Sequence, residues 1–363
     1  MRHGRRLAAR PGAFALALLV MLSLAVGSGV IGARWLDAPA LAQRAADQPE
    51  GTPGKSDEWR QVRQGVQGNV SIPNKQAGVL IQSEGENWRA FRNGPLSSGG
   101  VWVLLGIIAV LALFFAVRGR IKLESGWSGL VVERFNSIER LTHWMTAVSF
   151  IILALSGLNM LYGRYVLRPV IGASAFSWLT GIGKLAHNYL AFAFMLGLVM
   201  MFVLWVRENI PNRFDWQWLK RGGGFFSKHD HPPAEKFNAG QKLIFWLVIL
   251  GGLSASLSGL ALLFPFTFTW FAHTFAFLNI FGAHLPSDLT PLQDTQLSQV
   301  WHAIVGLLLI ALIIGHIYIG TIGMEGAFDA MGTGKVDLNW AQEHHRLWVE
   351  ETRQRSGAPG SDD

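Results

Sequence analysis

The sequence predicts an all-α integral membrane protein: a four-helix transmembrane bundle preceded by one additional spanning helix and a signal peptide. Three observations carry this. Of 363 residues, 50% are hydrophobic and only 15% charged, the balance of a chain with several membrane spans rather than of soluble domains. Five apolar runs after residue 100 are long enough to cross a bilayer at ~1.5 Å per residue. Lysine and arginine are distributed so that each connection is assigned a side of the membrane.

The absence of cysteine excludes disulfides, thiolate iron–sulfur ligation and cysteine-bound zinc within the chain. A net charge of +7 would suggest nucleic acid in a soluble protein. Here the basic residues sit beside the apolar runs, where topology and anionic lipid headgroups account for them, so no nucleic-acid partner is expected.

Residues 1–42 read as a signal peptide: Arg2, Arg5, Arg6 and Arg10, an apolar run from Ala13 to Ile31, and Ala40-Leu41-Ala42 as a small-residue cleavage site. An uncleaved anchor is the alternative. Residues 43–100 form an exported polar extension, rich in Gly, Pro, Gln and Asn, with short elements that a partner would order. Residues 101–117 are the additional span, followed at once by Arg118, Arg120 and Lys122. The four-helix core fills 118–323, with spans expected near 142–162, 185–206, 241–264 and 297–321.

The connection 118–140 holds five Lys/Arg and 207–236 holds six, whereas 265–298 holds none and 163–181 two. The positive-inside rule then puts the N-terminal extension and the 265–298 loop in the periplasm and the tail 324–363 in the cytoplasm, as expected of a multi-pass protein of the bacterial inner membrane. The aromatics of 264–271 suit the membrane–water interface and predict a short interfacial helix or a partner contact. In the tail, Gly332-Thr333-Gly334 predicts a turn. His344 and His345, which as neighbours do not share a helix face, read as surface residues.

Four other histidines carry the chemistry. His302 and His316 lie fourteen residues apart in the last span, ~21 Å along a helix and within ~40° of one face. His143 opens the first core span and His187 the second. With the topology above, His143 falls at the depth of His316, and His187 at that of His302. Ionisable groups at such positions are costly and take partners; two pairs at two depths are what two bis-histidine haems inside a bundle require. Gly157 leaves room on the face of His143 at the depth of the other haem, and Gly306 and Gly315 flank the ligands, although small residues also serve helix packing. Arg134, Arg140, Lys236 and Lys242 at the inner edge suit haem propionates or topology anchoring.

Together with Arg140-Leu141-Thr142-His143-Trp144, Asn209-Ile210-Pro211, Lys236-Phe237-Asn238-Ala239-Gly240-Gln241 and His344-His345-Arg346-Leu347-Trp348, these residues make the stretch 133–351 resemble the cytochrome b (gamma) subunits of membrane-bound respiratory formate dehydrogenases. The resemblance implies two haem b groups, the outer held by His187 and His302 and the inner by His143 and His316. It implies a quinone, menaquinone or ubiquinone, beside the inner haem at Asn238, Gly240 and Gln241. Read alone, Asn238 and Gln241 are helix-capping residues. It further implies electrons from a molybdenum or tungsten catalytic (alpha) subunit through an iron–sulfur (beta) subunit on the periplasmic face, with quinone reduced on the cytoplasmic side and formate oxidised on the partner. The cytochrome b of a nickel–iron hydrogenase or thiosulfate-type reductase is the alternative. From another class, a haem-free membrane anchor or metal transporter is opposed by the lack of Asp and Glu in the core spans.

Overall fold

The computed structural model describes residues 85–224 and 230–355; the expected signal peptide and most of the polar extension lie outside the described residues. Helix α1 (Gly85–Phe91) passes through a π turn at Arg92–Leu96 into α2 (Ser97–Arg118). The helical path therefore begins before residue 101, and the polar Ser97-Ser98-Gly99-Gly100 step belongs to it. Pro95 has no N–H and widens the turn. Ser97 Oγ donates to the Arg92 carbonyl at 2.7 Å and Ser98 Oγ to that of Gly94 at 2.9 Å, meeting backbone groups that lipid would leave bare.

The core follows as α3 (Ser137–Val166), α4 (Arg168–Trp205), the short α5 (Arg213–Lys220), α6 (Ala239–Leu263), α7 (Trp270–Asn279) and α8 (Pro291–Tyr318). Among the described residues five helices are long and apolar enough to cross a membrane, and each expected span coincides with part of one of them to within a residue. Asn136 and Glu139 close α3 with a reciprocal capping box, which satisfies orphan N–H groups at its start. The run Arg168–Trp205 is broken at Gly172, whose φ of 80° is open to glycine and costly for other residues. Helix α7 stands in the aromatic loop, as expected there, and the buried Asp294 accepts from the backbone N–H of Ala272 at 2.8 Å at its first turn.

Two compact units divide the chain, one made of Val103–Leu253 and Leu308–Asp363 among its residues, the other including Ser254–Leu307. The first has its core where Phe194 and Leu198 of α4 meet Phe245 and Ile249 of α6, continuing into Phe135, Trp205 and Phe237. The second is centred on Phe275, Leu285 and Leu297.

After α8 a further π turn, Ile319–Gly323, leads to α9 (Asp329–Gly332), strand β2 (Lys335–Asp337) and α10 (Leu338–Arg355). β2 pairs antiparallel with β1 (Val131–Glu133), Val132 opposite Val336. The tail is therefore folded back onto the segment after α2. Asp337 fixes it: its carboxylate accepts from the Ser128 N–H at 3.0 Å, the Ser128 hydroxyl at 2.9 Å and the Asn339 N–H at 2.9 Å. Burial opposes the charge, but these bonds outweigh it and hold the carboxyl below its ordinary value.

Candidate functional site

Within the first unit, α3 brings His143 and α8 brings His316 to one cavity of about 1180 Å³. Their ring centres are 6.1 Å apart and their planes 57° to each other. The buried Nδ1 of His143 has no hydrogen-bond partner. The two histidines expected at one depth are thus face to face.

His187, on α4, lies against α3. Its Nδ1 is 2.9 Å from Ser156 Oγ, and it is also hydrogen-bonded to the Leu153 backbone. A Cβ added at Gly157 would stand 3.6 Å from His187 Cε1, so this glycine adjoins His187. Within the second unit, His302 lies against α6, with Nδ1 3.1 Å from Ser258 Oγ and 2.9 Å from the Ala255 carbonyl. In both rings Nδ1 faces oxygen acceptors, which favours the tautomer with its proton on Nδ1.

Residues 134–334 match the family model of prokaryotic cytochrome b561. The chain belongs to the prokaryotic cytochrome b561 family. As a cytochrome b it is a membrane-integral, haem b-binding protein. The chain is 28% identical over 229 residues to the cytochrome b556 subunit of the nitrate-inducible formate dehydrogenase of Escherichia coli K12, covering 61% of this chain and 91% of the relative. To the other E. coli K12 formate dehydrogenase cytochrome b556 subunit it is 26% identical, covering 61% and 93%. To the formate dehydrogenase cytochrome b556 subunit of Haemophilus influenzae it is 22% identical, covering 61% and 83%.

The cytochrome's residues fit a haem at the inner pair. Two metal–nitrogen bonds of about 2 Å, with about 1 Å from each bonded nitrogen to its ring centre, span about 6 Å, the separation observed. The cavity also lies above the roughly 300–1,000 Å³ of an ordinary small-molecule site, a size open to a macrocycle.

The four inner cations of the cytochrome separate. Arg140 bonds the carbonyls of Met331 and Gly332. Lys236 pairs with Glu139 at 2.7 Å and Glu208 at 3.3 Å, and Lys242 with Asp215 at 3.1 Å. Arg134 alone of the four lines the cavity. Its Nη2 donates to the Lys236 carbonyl and to His345 Nε2, while Nη1 is buried without a partner. Burial lowers its pKa to about 9, so it stays charged at neutral pH. Trp340 adds a second unpaired donor, its indole Nε1, to the same lining.

Asn238, Gly240 and Gln241 also line this cavity. The Gln241 N–H donates to Asn238 Oδ1 at 2.9 Å and the Asn238 N–H to Gln241 Oε1 at 3.0 Å, a reciprocal cap on α6. Their oxygens are thus occupied, leaving the two NH₂ groups as donors. Gly240 packs under Trp218, whose ring a Cβ would meet at 2.9 Å.

The expectation that His344 and His345 lie on the surface is overturned. His345 is 1% exposed; its Nδ1–H donates to the Glu235 carbonyl at 2.7 Å, so Nε2 accepts from Arg134. His344 faces the cavity beside Trp340 and His231, ring centres 5.1 and 6.1 Å away. α10 kinks at His345, φ −146°, so straight-helix geometry could not reveal this. Trp340 and Trp348 in an otherwise polar segment were the available signal.

Proposed function

We propose that this cytochrome is the membrane subunit of a formate dehydrogenase complex. It takes electrons from a periplasmic iron–sulfur subunit served by a molybdenum or tungsten catalytic subunit, and delivers them through two haem b groups to a quinone reduced on the cytoplasmic side of the inner membrane. The observation that carries it is the His143–His316 pair, set at ligand spacing in a cavity where the buried donors Arg134 Nη1 and Trp340 Nε1 have no protein partner. The relatives' names supply the donor complex.

Bound haem b supplies one-electron transfer. His143 and His316 would hold the inner group, and His187 and His302 the outer. Arg134 Nη1 and Trp340 Nε1, both without a protein partner, would offer charge-assisted bonds to a carboxylate of the inner group. The NH₂ groups of Asn238 and Gln241 donate to a quinone oxygen as charge develops on it. Reduction to quinol takes up two protons, and His344, kept neutral at pH 7 because burial lowers its pKa to about 4, lies on the same lining. His231 beside it is 3.3 Å from the half-exposed Glu124, a route from solvent.

A metal-transporter reading finds little support: among the described residues no group of three or more His, Asp or Glu converges to hold an ion. The test is purification through this chain. Co-purifying iron–sulfur and molybdenum- or tungsten-containing subunits, with formate reducing two b-type haems, is the expected result. A hydrogenase or reductase partner in their place would transfer the same haem scheme to another donor, and a preparation without haem would end it.

A further inference from the structure

The segment Leu155-Ser156-Gly157-Leu158 in α3 recurs as Leu257-Ser258-Gly259-Leu260 in α6, and each copy carries the same arrangement. Ser156 Oγ is 2.7 Å from the Ile152 carbonyl and 3.1 Å from that of Leu153, four and three residues back. Ser258 Oγ is 2.9 Å from the Ser254 carbonyl and 3.0 Å from that of Ala255. A serine in a spanning helix ordinarily closes its hydroxyl on its own backbone in this way. Having one proton, it is left with lone pairs, and in both copies these meet a histidine Nδ1 from the next spanning helix: His187 at 2.9 Å and His302 at 3.1 Å. A glycine follows one residue on in each copy, and at 259 it gives the ring room that a Cβ would crowd. A Cβ at 157 or 259 would stand 3.6 or 3.2 Å from the imidazole Cε1.

From this we infer that Ser156 and Ser258 are paired positioning residues, each sharing with a backbone carbonyl, of Leu153 or Ala255, the Nδ1–H of one axial ligand of the same outer haem and so holding its ring orientation. The inference rests on the proposed ligation by His187 and His302. Ordinary small-residue packing would explain the glycines, but not a hydroxyl that accepts from Nδ1 in both copies. A bond from Nδ1–H to an acceptor makes the imidazole a stronger donor. It therefore favours oxidised iron, and weakening it by removing one of its two acceptors raises the midpoint potential.

The test uses the whole complex purified with Ser156→Ala or Ser258→Ala, read by haem content, redox titration of the b-band and low-temperature EPR. Each variant should keep both haems and raise the same one of the two midpoints, by at least a threefold change in the oxidised-to-reduced ratio, about 28 mV at 59 mV per tenfold. Ser258→Thr, which keeps the hydroxyl, should hold the wild-type value. If an alanine variant loses haem, the isosteric pair decides, threonine retaining haem and valine losing it. Unchanged midpoints and EPR in both alanine variants, shifts in different haems, or equal effects of threonine and alanine would each overturn the inference. His187→Ala and His302→Ala test the ligation separately: both should remove the same haem, and if neither removes one, it is the ligation that has failed.

Discussion

Among single side chains, the chemistry of the inner cavity depends on which polar atoms are already engaged. Gln241 is the instructive case, since its oxygen caps α6 while its nitrogen is the end available to a quinone. Gln241→Leu would remove both, and cap loss alone costs about 1 kcal/mol. Gln241→Glu keeps the capping oxygen and removes the donor. Haem content and formate-driven haem reduction should be retained while quinone reduction falls at least tenfold, about 1.4 kcal/mol in the transition state; unchanged turnover would take Gln241 out of the site. His143→Ala should halve pyridine-haemochrome haem, because six-coordinate iron loses one of two protein ligands, and full content in that variant would refute the His143–His316 assignment. The meeting of His143 with His316 was legible because span order and spacing along a helix are geometry the sequence contains. The separate fates of Arg134, Arg140, Lys236 and Lys242 were not, because they depend on carboxylates and carbonyls brought in from distant segments.

For the elements, spans and their caps could be read from local composition, whereas the docking of α10 could not. It depends on a two-strand pairing of three residues each and on a kink within the helix. That docking has a pH signature. Burial, ahead of the nearby Arg134 charge, lowers the pKa of His345 well below its ordinary value, and burial likewise takes His344 to about 4. In an undocked tail both would titrate near 6.5. Between those values the undocked state binds more protons, so docking weakens as pH falls from about 6.5 toward 4, by up to about 1.4 kcal/mol per histidine per pH unit. Amide exchange over 338–355 should therefore rise at pH 5 relative to pH 7.5 beyond the intrinsic rate change. An identical protection factor at both values would show that these histidines do not govern docking.

For the molecule as a whole, the charge asymmetry of the connections makes a prediction that does not depend on haem. A reporter fused after Ser287 should behave as periplasmic and one after Arg221 as cytoplasmic; the opposite pattern would overturn the orientation and with it the side on which quinone is reduced. The cavity wall carries a second consequence, one of timing. Trp340, His344 and His345 come from α10, yet they stand against residues that left the ribosome some two hundred positions earlier, such as Arg134 and His143. While synthesis is in progress, the inner pocket thus has the imidazoles of His143, His231 and His316 and an open side. Macrocycle retention should be a property of finished chains, and a product terminated before residue 338 should insert, span and still fail to keep its inner pigment, so that colour itself reports complete translation.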